Sequence, residues 1–153
     1  MNKEPVTKIP MLAVSDINYN YPSNKNLGKI TLKRKMVKIR VESVNLEVEG
    51  YSLVNPKYRL VNYTTKGYLD KMEKVDNSLS QMGESDYQDG NIFYSYFHHW
   101  GDTPNEQPIL MIQAEVKRND SSKGLMKVYY KVPLNTPGAQ LNCNYLYETV
   151  ARM

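Results

Sequence analysis

The place in this sequence where metal-ligating and acid–base side chains crowd together is His98-His99-Trp100-Gly101-Asp102. A zinc centre takes three or four ligands brought from separate positions. Neighbouring residues of a strand point to opposite faces, so His98 and His99 cannot share one ion from an extended segment. The sequence holds no further histidine to complete a set. The run therefore reads as a loop motif that follows a strand, and no metal site is assigned. Cys143 is the single cysteine, which excludes an internal disulfide framework. It sits between Asn142 and Asn144 in an expected strand, with no nearby histidine to take its proton. That is the setting of a buried structural thiol, not of a nucleophile.

The carboxylates Glu42, Glu47, Glu49, Asp70, Glu73, Asp86, Asp89 and Glu115 are scattered. Glu47 and Glu49 lie two apart, which on a strand puts them on one face, as a glycosidase pair would need. Their neighbourhood is charged and reads as solvated, which argues against acid–base work. Ser78, Ser80 and Ser85 lack a nucleophile-elbow context. No phosphate-binding loop, dinucleotide fingerprint or calcium loop is present. No catalytic, cofactor-binding or metal residues are assigned, no cofactor is expected, and the chain does not read as an enzyme.

Half of the twelve positions from Lys29 to Arg40 are basic: Lys29, Lys33, Arg34, Lys35, Lys38 and Arg40. Such a stripe could attract phosphate. No nucleic-acid module accompanies it, so the stronger reading is a solvated strand face whose lysines discourage edge-to-edge aggregation. The overall excess of 20 basic over 16 acidic residues is mild. Hydrophobic residues at 41% and charged residues at 24% give a globular balance, not a disordered one. Tyrosine dominates the aromatics, with 13 against 2 Phe and 1 Trp. An apolar ring with a polar tip fits a pleated surface packed on one side and wet on the other. No stretch approaches the roughly 20 apolar residues of a membrane span. Met1-Asn2-Lys3-Glu4-Pro5 shows no apolar signal region, so no signal peptide is read in this chain.

The elements that would carry these residues are strands. Ile9-Pro10-Met11-Leu12 reads as a strand start or sheet edge because of its proline. A long extended run from Gly28 to Val44 changes its apolar phase between Met36 and Val37, which predicts a bulge or a change of packing partner. Residues 51–54 and 58–63 read as two strands separated by Asn55-Pro56. Residues 92–97, 108–116 and 125–132 follow, with Leu110, Ile112, Ala114 and Val116 on one face. Residues 128–134 and 141–147, joined by Asn135-Thr136-Pro137-Gly138, read as a hairpin or strand–loop–strand unit. Leu69, Met72, Val75 and Leu79 allow a helical turn or two inside a polar stretch that reads mainly as linker or long loop. The expected division is 1–75, a linker or loop at 76–91, and 92–153. Strand signals at short intervals with Gly/Pro/Asn punctuation predict an all-β sandwich.

Four segments, in order, resemble the fimbrillins, the FimA-type major fimbrial subunit family. Ile9-Pro10-Met11 is similar to the family's IPMS-type segment. Residues 32–41, with Leu32, Arg34 and Lys38, resemble its L-x-R-x-V-A-K-V-x-V strand. Phe93-Tyr94-Ser95-Tyr96 resembles its F-Y-x-Y/F segment, and residues 108–116 the strand that follows. Tyr129-Tyr130-Lys131-Val132-Pro133-Leu134 with Asn144-Tyr145-Leu146-Tyr147 is similar to its Y-Y-x-V-P-L … R-N-x-x-Y hairpin.

The resemblance implies two transthyretin-like β-sandwich domains, small β units in tandem, and a structural subunit of cell-surface fimbriae at the outer membrane. It implies assembly with other fimbrial subunits by donor-strand exchange, with host surface ligands as further partners and no nucleic acid. Ile9, Pro10, Met11, Leu32, Arg34, Lys38, Phe93, Tyr94, Tyr129, Tyr130, Pro133, Asn144 and Tyr147 are the structural and assembly positions it carries over. The sequence stops at Met153, where the family continues into its last strands, so the expectation is an incomplete C-terminal region with a pairing edge unfilled. The alternative is a secreted β-sandwich binding module that contacts carbohydrate or nucleic acid through tyrosines and the basic strand at 29–40.

Overall fold

Along the long strands, alternation of apolar and polar side chains becomes alternation of buried and exposed ones. A computed structural model describes residues 8–13, 30–68, 82–121 and 124–152. They form β1 (Met11–Leu12), β2 (Lys33–Arg34), β3 (Val37–Asn45), β4 (Tyr51–Thr64), β5 (Met82–Glu84) and β6 (Ile92–Ser95). The chain continues through β7 (His98–His99), β8 (Ile109–Arg118), β9 (Gly124–Pro133), β10 (Gln140–Leu141) and β11 (Leu146–Arg152). Two single 3-10 turns, Pro104–Glu106 and Pro137–Ala139, interrupt them, and the described residues hold no α-helix. The helical turn expected over Leu69, Met72, Val75 and Leu79 lies outside the described residues, as do Lys29 and most of the first 28 residues.

Two sheets face each other. One has the order β11-β3-β6 and the other β5-β4-β8-β9. Val37, Ile39 and Val41 of β3, with Phe93 of β6 and Ala151 of β11, turn inward from the first. Tyr58 and Leu60 of β4 and Leu110 and Ile112 of β8 meet them from the second. Trp100, Leu134 and Leu141, from the loops and β10, complete the same cluster. This is the all-β sandwich expected from the strand pattern. Each such side chain removed from water contributes about 1.5–3 kcal/mol of hydrophobic stabilisation. Strands on either side of residues 76–91 share both large sheets: β3 lies between β11 and β6, and β4 pairs with β8.

Two local expectations change, and a third resolves to one of its two alternatives. The phase shift at Met36/Val37 marks a change of partner. β2 pairs with β1, the chain bends at Lys35 and Met36, and β3 then pairs with β6 and β11. Residues 51–63 are one strand, not two. Asn55 takes a left-handed φ of 52° and forms a bulge between Val54 and Lys57, so the ladder to β8 resumes past Pro56. Asparagine tolerates that conformation better than most residues.

The second correction concerns the expected hairpin of 128–134 with 141–147. After β9, the Pro137–Ala139 turn has Gly138 at φ 71° and Ala139 at φ 49° and redirects the chain across the sandwich. β10 then pairs with β7, and β11 runs parallel to β3 in the opposite sheet. Burial of Leu141 in the core, with no solvent exposure, accounts for the crossing.

On the outer face, Arg40 of β3 and Glu148 of β11 are ladder partners and form an ion pair, with side chains 42% and 37% exposed. Exposed pairs of this kind contribute little, so Glu148→Gln should lower stability by less than about 1 kcal/mol in a urea titration.

Candidate functional site

His98 and His99 stand on β7, opposite Leu141 and Gln140 of β10, and face opposite ways. His98 is buried and His99 exposed. The His98 Nε2 lies 2.8 Å from the Glu106 carbonyl oxygen, which can only accept, so Nε2 carries the proton. Its Nδ1 then accepts from the Thr64 hydroxyl at 2.7 Å. Burial pushes the His98 pKa below the ordinary histidine value, against a smaller upward pull from the Glu106 carbonyl. The ring packs near Trp100, with centroids 5.9 Å apart. Both nitrogens are engaged by the fold, so His98 is a structural histidine. Among the described residues no group of three or more His, Cys, Asp or Glu is placed to hold a metal ion.

Cys143 is buried, but in a turn and not in the expected strand. Its thiol donates to the Lys35 carbonyl at 3.1 Å, and the next residue, Asn144, has φ 69°. Glu47 and Glu49 are exposed in the turn after β3, so no strand face aligns them. The basic stripe is also broken up. Lys35 is 2% exposed, Arg40 is paired with Glu148, and Lys33 and Arg34 lie on the β1–β2 ribbon.

Arg34 and Lys38 do come together, at a surface cup of about 170 Å³ on the outer face of the β11-β3-β6 sheet. The ladder places Lys38 abreast of Tyr94 on β6 and Leu146 on β11. Ile9 enters from just before β1, a ribbon anchored by the Lys35 amide on the Pro10 carbonyl at 2.9 Å. Met36 and Tyr145 complete the lining. Asn144 fixes the cationic side: its Oδ1 accepts from the Arg34 backbone amide at 3.4 Å and from Arg34 Nε at 3.3 Å. Its own amide donates to the Met36 carbonyl at 3.1 Å.

The other carried-over positions fall elsewhere. Pro10 and Met11 belong to the β1 segment, and Leu32 is exposed just before β2. Phe93 is in the core, with Tyr130 and Tyr147 half-buried against it. The Tyr147 hydroxyl accepts from the Asn142 amide at 3.0 Å, which ties the turn before β11 to its strand. Tyr129 lies on the outer face of β9, edge-on to Tyr87 at 6.5 Å. Pro133 ends β9 and borders a second hollow of about 80 Å³. That hollow is a seam between the end of β9 and β11, with Ile39 at its floor and Tyr147 and Thr149 on its wall. Among the described residues β9 and β11 are each paired on one side, so both present a free strand edge.

No family model matches the chain. Two curated proteins are similar to it, both named major fimbrium tip subunit FimD and both from Porphyromonas gingivalis, one of them from strain ATCC 33277. Each is 27% identical over 138 residues, which cover 86% of this chain and 21% of the relative. This chain is similar to a fimbrial subunit. It spans about a fifth of the length of the relatives it matches. The likeness to fimbrial subunits read from the sequence thus holds, and the matched relatives, named as tip subunits, make the FimA-type reading approximate and not specific.

Met36, Tyr145 and Leu146 of the cup, and Ile39 of the seam, were not singled out by the sequence. Their neighbours were, inside the same segments. The missing information was that β11 lies parallel to β3, which alone brings residues 145–146 beside residues 36–38.

Proposed function

We propose that this chain is a structural, non-catalytic part of a cell-surface fimbrium, anchored in assemblies at the outer membrane and packed against other fimbrial subunits. What carries the reading is the 27% identity to fimbrial tip subunits across 86% of the chain. The tip of the fibre is the place this likeness favours. Assembly would proceed by donor-strand exchange, in which an extended segment of a neighbouring subunit pairs with a free sheet edge. Main-chain hydrogen bonds would supply affinity, and alternate side chains would enter the groove. The seam between β9 and β11 suits that role, because among the described residues β11 is paired on one side only and Ile39 gives the seam an apolar floor.

Two measurements test the two levels of this reading. Immunogold labelling of sheared surface fibres with an antibody raised against this chain should decorate fimbriae, and labelling confined to the cytoplasm would refute the fimbrial role. Alternating apolar peptides from fimbrial subunits should raise the chain's melting temperature, since a ligand that binds the folded state alone stabilises it. Equal behaviour of native and scrambled peptides would remove donor-strand exchange and leave the first result standing.

A further inference from the structure

We infer that the cup on the outer face of the β11-β3-β6 sheet binds a carboxylate-bearing sugar residue at the end of a glycan. This does not depend on fimbrial assembly, which concerns the strand edges and the seam.

The charge comes first. Arg34 and Lys38 line the cup, and among the described residues no carboxylate does. Glu148, on the outer face of β11, is engaged by Arg40. Neither Arg34 nor Lys38 has an ion-pair partner among the described residues. Asn144 holds Arg34 through Nε and the backbone amide, which leaves its two terminal nitrogens as a fork. A guanidinium fork matches a carboxylate in two parallel hydrogen bonds, and Lys38 adds a point charge.

Size and lining narrow the ligand. A cup of about 170 Å³ lies below the range of roughly 300–1,000 Å³ that encloses a drug-sized molecule. It holds one ring, not a chain. Ile9, Met36 and Leu146 offer apolar surface to the C–H face of a pyranose. Tyr94 and Tyr145 bring rings for stacking and hydroxyls that donate to and accept from sugar hydroxyls. Tyr145 is 62% exposed and Leu146 48%, so this surface stands open to solvent.

Two other acidic ligands fit less well. A peptide adds to a sheet through free main-chain groups. At Lys38 the strand is paired on both sides, so the floor of the cup has none to give. A nucleic acid needs a track of cations, each neutralising a phosphate. Here Lys35 is buried, Arg40 is already paired and exposed Lys33 is not among the cup's lining residues, so the cup itself offers two cations and no track.

The test is an NMR titration of the whole chain with N-acetylneuraminic acid and with glucuronic acid, using N-acetylglucosamine and glucose as neutral counterparts. The acidic sugars should shift amides around residues 34–38, 94 and 144–146, and the neutral sugars should not. Arg34→Gln and Lys38→Gln should each weaken binding at least about tenfold, as expected for loss of a charged hydrogen bond. Their melting temperatures should stay close to the parent value, since both side chains lie at the surface. Tyr145→Ala, also at the surface, should weaken binding of acidic sugars without altering the fold. Added salt should weaken binding through screening. Equal binding of neutral sugars, shifts mapping to another face, or no binding at all would overturn the proposal. So would binding of a glutamate-rich peptide to the cup in place of either acidic sugar.

Discussion

Replacing Ile39 with alanine is expected to lower the free energy of unfolding by about 2–5 kcal/mol, the range for truncating a fully buried aliphatic side chain. Ile39 has no solvent exposure, and β3 is the middle strand of its sheet, bonded to β11 and β6 on its two sides. Its side chain belongs to the cluster where both sheets meet, so the space left by truncation is enclosed by Phe93, Leu60, Leu110 and their neighbours. The cost has two parts, the transfer of the lost methylenes and the cavity that remains. A chemical denaturation curve would report it as a lower midpoint with an unchanged slope. Lys38→Ala is the control, because the adjacent residue points outward and should change stability by no more than about 0.5 kcal/mol. A loss below 1 kcal/mol at Ile39 would mean that the inner face of β3 is not packed as described. Because Ile39 also floors the seam, its truncation tests whether an apolar strand-accepting groove depends on that side chain: peptide stabilisation should fall along with the parent's own stability.

The pattern that makes Ile39 buried was readable before any fold was known, and so was the sandwich class. Val37, Ile39 and Val41 alternate with Lys38 and Arg40, and Leu110, Ile112, Ala114 and Val116 alternate with Met111, Gln113 and Glu115, and in each case the first-named set is the buried one. A period of two survives in any sheet, whatever its neighbours. Partnership does not. Residues 128–134 and 141–147 look like adjacent strands because the turn signals between them are strong, yet the loop carries the chain to the other sheet. Local turn chemistry specifies that the chain reverses and leaves open which edge it meets. The same ignorance hid half of the cup. Arg34, Lys38 and Tyr94 could be singled out by motif, whereas Tyr145 and Leu146 enter through a parallel pairing that no local feature of residues 141–147 announces. Asn55-Pro56 failed in the opposite direction: a strong break signal is absorbed by a bulge because the flanking ladder to β8 outweighs it.

The pH dependence of stability should show His98 directly. An unfolded histidine titrates near pH 6.5, and burial holds the folded side chain's pKa lower, so the unfolded state binds more protons as the pH falls below that value. The sign follows. Above about pH 6.5 both states are neutral and this group adds no slope, and below it stability declines until the folded histidine also takes up its proton. The neutral ring is held by a tautomer-specific pair of bonds: Nε2–H donates to the Glu106 carbonyl and Nδ1 accepts from Thr64. Protonation at Nδ1 puts a second donor against the Thr64 hydroxyl, which must then turn its own proton away. His98→Phe keeps the ring beside Trp100 but leaves the Glu106 carbonyl and the Thr64 hydroxyl without it, at a cost of about 1–3 kcal/mol for each group that finds no other partner. The two effects separate by pH. At pH 8 the variant should be less stable than the parent by the full hydrogen-bond loss. As the pH falls through 6 and below, the parent alone pays the protonation penalty, so the gap should narrow. Melting temperatures of both proteins across that interval measure it, and a gap that stays constant would show that His98 does not titrate differently in the folded chain.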